Sequence, residues 1–468
     1  MKFFFLPLFA GLVVFACTKE KPVTINGKIT GSSNESFTID INYLDRTDTV
    51  GIAEDGSFLT QLIIDDERFA TMRCGNIGVA LYLVPGATIN MELDNEDFKN
   101  NWGANANITG KYSEPTTFLL NLKTKTFNDD IEKVLRMPVD SFALKVDKLI
   151  KISEEEIGKF KSSFNASKKF IDLLELYQHV NIAQYYYYNY INYHKRLVPE
   201  DTASIPEVFQ AYIDDIPVDD FEKCKELREY KSFVIGHYIN EIREELQSDS
   251  TLKSGTVAYE NKNIDAILAL NIPQDLKDVI GYRLVSSYSY RPDSIREVQR
   301  KRYKELISNE KYVNEFETVV ASIEKTKPGA IAPSFNYADI DGNMVSSDSF
   351  IGKVVYIDVW ATWCGPCRVE IPALKTMEEK LHNQPVAFVS ISIDSDKAAW
   401  GKMVKEEALK GYQLFAEGAW GADIIKAYAI RGIPRFIIID KEGKIVNANA
   451  SRPSNPATKE KLLELAAK

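Results

Sequence analysis

The stretch Val354-Val355-Tyr356-Ile357-Asp358-Val359, followed by Trp363-Cys364-Gly365-Pro366-Cys367 and then by Glu370, Leu374 and Met377, decides the fold of the carboxy-terminal third. An apolar run of that length, ended by a turn, reads as a buried strand, and the residues after Cys367 recur at helical spacing. A cysteine just ahead of a helix receives the unpaired N–H groups and positive dipole end of that helix, which stabilise its thiolate. Cys364 is therefore the expected nucleophile. Cys367 lies about one helical turn further in, within reach of a mixed disulfide formed on Cys364. The pattern predicts dithiol exchange through a redox-active Cys364–Cys367 disulfide, with no separate cofactor.

A zinc site is the main competing use of such a cysteine pair, and it needs four ligands. His179, His194, His237 and His382 are the only histidines, and none stands in a ligand-like spacing. No metal is expected.

Further along, Gly432-Ile433-Pro434 precedes the apolar strand Phe436-Ile437-Ile438-Ile439, which Asp440 and a Glu442-Gly443 turn bound. Together with Ala332-Pro333-Ser334-Phe335, Asp341-Gly342 and Gly352-Lys353, these motifs resemble the thioredoxin superfamily and, more narrowly, the extracytoplasmic TlpA/ResA-like thiol-disulfide reductases. The resemblance implies an α/β thioredoxin-like fold for residues 327–468. It also implies a cis Pro434 facing the cysteines, with substrate held in extended form against Ile433 and Pro434 and beside the turn of Trp363, Gly365 and Pro366. Asp358 matches the family's buried carboxylate, which takes the proton of the resolving thiol; the other reading is a strand-end polar group reaching water. Glu370 matches the acidic residue of the ResA-like subgroup, or complements the helix dipole from the first turn. The Gly-Pro dipeptide between the cysteines, as in reducing thioredoxins, favours a disulfide reductase over an oxidase. Peroxiredoxins carry a Pro and a Thr upstream of a single reactive cysteine, a context that neither Cys364 nor Cys367 has.

At the other end, Lys2 precedes an apolar run from Phe3 to Ala16 that is too short to span a bilayer and fits a signal peptide. Its end, Val14-Phe15-Ala16-Cys17, resembles a bacterial lipobox, with Phe15 bulkier than the usual residue; an ordinary secretory peptide is the alternative. Residues 1–17 are thus expected to be a lipoprotein signal peptide with Cys17 as the lipidated residue. Several acyl chains on one residue exceed the two signals that stable anchoring takes. The expected location is the cell envelope, lipid-anchored and facing the periplasm, on the outer or inner membrane.

Residues 23–111 alternate with period two, as in Phe37, Ile39, Ile41 and Tyr43 or Ile89, Met91 and Leu93. Turns at Gly27, Asp55-Gly56 and Pro85-Gly86 separate the runs, so a small antiparallel β-sandwich is expected, similar to the β domain ahead of TlpA-like modules in Bacteroidetes lipoproteins. Residues 112–326 take a helical period, as in Phe142, Val146 and Leu149, and predict an all-α domain. Within it the run Tyr185-Tyr186-Tyr187-Tyr188-Asn189-Tyr190 with Tyr193 exceeds one narrow face; Tyr186, Tyr190 and Tyr193 are expected in the core. Lys325-Thr326-Lys327-Pro328-Gly329 ends the helices and opens the redox module. Cys74 and Cys224 read as buried small side chains, with a bridge between them left open.

The 468 residues carry a net charge of -10, which argues against a nucleic-acid footprint. The expected partners are disulfide-containing exported proteins, apocytochrome c among the candidates, and a membrane thiol that donates electrons. A second function stays open at this level: a non-catalytic binding or envelope-assembly lipoprotein whose redox domain is vestigial. Retention of Trp363, both cysteines, Gly365, Pro366 and Pro434 speaks against it.

Overall fold

The structure is a computed structural model that describes residues 21–32, 34–42, 46–75, 77–201 and 203–468. Cys17 and the signal-like segment lie outside the described residues, as does Tyr43. The chain divides into two compact units between residues 237 and 238.

The first unit opens with β1 (Val23–Thr30), β2 (Ser36–Ile41), β3 (Arg46–Gly51), β4 (Ser57–Leu62), β5 (Arg68–Cys74), β6 (Ile77–Leu83), β7 (Thr88–Asp94) and β8 (Asn107–Thr109). They form two four-stranded sheets, β4-β1-β7-β8 and β3-β2-β5-β6. The expected alternation holds: Phe37, Ile39 and Ile41 from one sheet and Ile89, Met91 and Leu93 from the other join one buried apolar cluster. The antiparallel expectation is corrected at one pairing, because β1 and β7 run parallel with Ile25 opposite Ile89. Gly27 sits in that pairing, where a Cβ would stand 1.9 Å from the Met91 carbonyl oxygen. Only glycine admits so close a backbone.

Helices succeed the sheets from Glu114 onward. Phe142 of the helix Val139–Ser163 is fully buried, stacked on Tyr190 at 3.8 Å and edge-on to Phe209 at 5.3 Å. The tyrosine run falls on a π-helical turn, Ala183–Tyr188, between two α-helical segments. Such a turn adds a residue to the circuit and rotates the next helical segment out of phase. The expected set is corrected at one position: Tyr186, Tyr187 and Tyr190 are buried, whereas Tyr193 is exposed because the next inward place on the helix is taken by His194. The buried hydroxyls of Tyr186 and Tyr190 donate to the carbonyls of Thr126 (2.6 Å) and Met137 (2.8 Å). Cys74 and Cys224 are both buried thiols.

The second unit starts inside the helix Arg228–Ser248. It holds the helices Val257–Ala269, Gln274–Ser286, Asp293–Leu306 and Glu310–Lys325 together with the redox fold. The redox fold contributes β9 (Asn336–Asp339), β10 (Met344–Ser346), β11 (Val354–Trp360), β12 (Val386–Ser392), β13 (Tyr412–Phe415), β14 (Arg435–Ile439) and β15 (Ile445–Asn447). Their order is β10-β9-β13-β12-β11-β14-β15, with β11 parallel to β12 and antiparallel to β14. Every residue of β11 is buried. Val355, Ile357 and Val359 enter one cluster. Val354 and Tyr356 enter another, with Leu374, Met377 and Leu381 of the helix Gly365–Leu381, the redox helix. Both faces of the strand are thus covered, which is why it reads as a continuous apolar run. Among the described residues no helix is long and apolar enough to cross a membrane.

Phe142→Ala should destabilise the first unit by about 3–5 kcal/mol, because the ring is enclosed by aromatic neighbours that cannot collapse onto a methyl group. Urea unfolding followed by circular dichroism should show the corresponding transition at lower urea, with a smaller shift for Phe142→Leu.

Candidate functional site

Strand β11 ends at Trp360, and the chain turns through Thr362 and Trp363 into the redox helix. Cys364 is the N-cap residue of that helix, and its Sγ accepts the Cys367 N–H at 3.2 Å. Its carbonyl accepts the N–H groups of Cys367 and Arg368 at 3.1 Å. A side-chain acceptor at this position meets one of the orphan donors of a helix start, here with sulfur in the usual place of oxygen. The two cysteines are joined as a disulfide, with Cα atoms 5.2 Å apart. Both are buried to the same degree, and the N–H hydrogen bond of the helix start falls on the Cys364 sulfur. Gly365 and Pro366 form the exposed first turn, and Trp363 projects outward, 57% exposed.

Ile433 and Pro434 are joined by a cis peptide bond. Arg435, the next residue, pairs with Val359 across β14 and β11, so this loop stands at the end of β11 from which the cysteine turn emerges. Ile433 packs against the cluster that contains both cysteines.

Asp358 is buried on β11, between Ser390 of β12 and Phe436 of β14. Burial pushes its carboxyl up to about 8, helped by the charges of Glu370 and Glu378, and its Oδ1 has no hydrogen-bond partner among the described residues. Glu370 is also buried, but its carboxylate is engaged elsewhere. It accepts the Ser454 N–H at 3.0 Å and the Ser454 hydroxyl at 3.1 Å, with the Arg452 guanidinium at 3.5 Å. It therefore ties the loop before the last helix to the redox helix.

Residues 327–464 match the family model Redoxin. The ResA thiol-disulfide oxidoreductase of Bacillus thuringiensis is 32% identical over 123 residues, spanning 26% of this chain and 69% of that relative. The chain belongs to the ResA-like thiol-disulfide oxidoreductases. The Bacillus subtilis ResA protein is 27% identical over 133 residues, covering 28% of this chain and 72% of its own. A Bacteroides vulgatus protein solved in solution, and described there as a thiol-disulfide oxidoreductase, is 52% identical. It covers 29% of this chain and 87% of its own, with a TM-score of 0.27.

Three features of this oxidoreductase's site escaped the sequence reading. Asp394, almost fully buried just past β12, accepts the Thr362 N–H (3.0 and 3.1 Å), the Thr362 hydroxyl (2.7 Å) and the Ser392 hydroxyl (2.8 Å). It fixes the chain two residues before Cys364. An acidic residue directly after an apolar strand was the available signal. Trp420 lies 6.2 Å from Trp363, ring to ring, and is 45% exposed, so the disulfide has an aromatic rim on one side. Tyr290, in the helical part of the second unit, donates its hydroxyl to the Gly432 carbonyl at 3.0 Å. The Arg435 guanidinium sits over the Tyr290 ring at 4.5 Å. Nothing in the sequence around Tyr290 announces a partner so far along the chain.

An unfolded aspartate titrates near 3.9, so between about pH 4 and about pH 8 the folded protein binds more protons at Asp358 than the unfolded chain does. Stability from this group is then present below that window and is lost as pH rises through it. Asp358→Asn should raise the thermal midpoint of the oxidised protein, with a larger gain at pH 8 than at pH 5; equal gains at both would contradict the buried-acid assignment.

Proposed function

We propose that this chain is an envelope disulfide reductase that exchanges its Cys364–Cys367 dithiol for disulfides in exported proteins. The observation that carries the reading is the Cys364 sulfur held by an N–H group at the helix start. When the pair is reduced, the same donor and the helix dipole favour the Cys364 thiolate over the thiol. That thiolate attacks a substrate disulfide, forming a mixed disulfide and releasing one substrate thiolate. Cys367 then gives its proton to Asp358 and attacks the Cys364 sulfur; the second substrate thiolate leaves and the internal disulfide reforms. Glu370 assists by keeping negative charge near Asp358, which favours its protonated state.

Substrate docking is assigned to Ile433 and Pro434 with the turn of Trp363, Gly365 and Pro366. The half-buried loop and the exposed Trp363 support this, since they place accessible backbone and an apolar ring beside the disulfide. The direction of exchange rests on the Gly-Pro dipeptide, and the location on the signal-like segment ending at Cys17, the proposed lipid-bearing residue. A membrane thiol supplies electrons in this scheme, and apocytochrome c cysteines are among the substrates it would serve.

Cys367→Ser keeps the attacking thiol and removes the resolving one. Expressed in its native envelope, the variant should accumulate reductant-sensitive adducts that vanish when Cys364 is also replaced, and mass spectrometry of the adducts identifies the substrates. The reduced wild type should be alkylated at Cys364 first, at a pH below that at which a free cysteine reacts. Absence of adducts, together with no insulin-disulfide reduction by the purified protein, would remove the reductase reading in favour of a vestigial domain.

A further inference from the structure

Cys367, Ile371, Leu374 and Glu378 recur at spacings of four, three and four along the redox helix, and so share one stripe. Ile371, Leu374 and Glu378 line a small cavity with Asp358, Ser390 and Gln413. Its volume of about 10 Å³ is close to that of one water molecule. Three buried oxygens in this lining have no hydrogen-bond partner among the described residues: Asp358 Oδ1, Glu378 Oε1 and Gln413 Oε1. Trp360, in the same lining, adds one unpartnered donor, its indole Nε1, so unpartnered acceptors outnumber donors; an ionised carboxylate only accepts hydrogen bonds, and a proton held on either acid relieves the excess. Glu378 is 8% exposed. It also lines an open groove on its other side, with Lys353, His382, Lys410 and Tyr412. Gly411, with φ 65°, lets the chain pass close beside it, since a Cβ there would lie 2.9 Å from Glu378 Oε1. Asp358 thus faces an enclosed space, and Glu378 touches both that space and solvent.

We propose that Glu378 is a positioning residue for the resolving step, carrying the proton that Asp358 takes from Cys367 across the cavity to the open groove. The inference rests on the reading that Asp358 accepts that proton. In the step, Cys367 loses its proton to Asp358, its sulfur bonds to Cys364, and the Cys364–substrate bond breaks with the electron pair leaving on the substrate sulfur. The cysteine pair is oxidised by two electrons and the substrate disulfide is reduced by two. The departing thiolate takes a proton from solvent, and the proton on Asp358 returns to solvent through Glu378, so the acid is ready for the next turnover.

The groups around the pair suit this task. Tyr356 and Glu370 face Asp358 from β11 and the redox helix. Lys375, Glu379 and Lys410 act on Glu378 from the helix and from the segment before β13. Burial pushes Glu378 up to about 7, against the pull of the two lysines. Both acids therefore change protonation near neutral pH.

The test is Glu378→Gln in the full chain, assayed for insulin reduction across pH with and without imidazole as a small proton carrier. The expected result is a threefold to tenfold lower kcat at pH 7 with unchanged KM, restored towards wild type as imidazole rises, and no further loss when Glu378→Gln is added to Asp358→Asn. First attack by Cys364, measured on a small disulfide in the Cys367→Ser background, should be unaffected. A wild-type pH profile for Glu378→Gln, or a loss that imidazole does not restore, overturns the relay. Normal turnover in Asp358→Asn alone would instead remove the proton acceptor on which the relay depends, so the two failures are distinguishable.

Discussion

The N–H of Cys367 meets the Cys364 sulfur because the redox helix begins at one fixed point, and that point is set by the burial of β11 on both faces. A strand flanked by β12 and β14 and covered by two apolar clusters has little freedom to slide. Its last residue then fixes where the turn starts, and Asp394 removes the remaining slack at Thr362. Register also sets the facing loop, since Val359 opposite Arg435 leaves Pro434 beside the end of β11. Placing the reactive group on such elements gives a precision that loops alone do not give.

The same burial creates the site's electrostatic character. Asp358 is the polar member of an otherwise apolar strand, and its carboxyl has too few partners to stay ionised cheaply. Glu370 has an external anchor in Ser454 and Arg452, whereas Glu378 lies between an enclosed cavity and a groove. Three acids of similar chemistry thus differ in what their oxygens can reach.

Much of this is legible in local sequence pattern. Phe37, Ile39 and Ile41 announce a half-buried strand, and Val354 to Val359 a fully buried one, because period and hydrophobicity are read from neighbouring residues. The cysteine turn is legible from its place between strand and helix, and Gly432-Ile433-Pro434 from the family it resembles. Features that depend on partners far along the chain are not. The parallel pairing of β1 with β7 joins segments separated by five other strands. In the tyrosine run the inward stripe passes through Tyr187 and Tyr190 to His194, so Tyr193 is left outside, a choice between neighbouring positions that the aromatic run does not reveal. Glu378 stands beside Glu379 and Lys380, whose charge suggests a solvated face, although its spacing from Ile371 and Leu374 puts it on the buried stripe of the redox helix.

Tyr290 joins the helices of the second unit to the loop that carries the cis bond, and the Redoxin match begins at residue 327, after the helix–turn segment that supplies it. The Arg431 charge beside Tyr282 adds a second tie from those helices to the same loop. The familiar module is consequently not self-contained here, because one wall of its Pro434 loop is held by chain from outside the matched region. By linkage, any change that tightens or loosens Tyr290 against Gly432 changes the free energy of the loop, and a change in the loop acts back on the helices to the same extent. A cut between the helices and the Pro434 loop would thus remove these contacts even though no cysteine is touched.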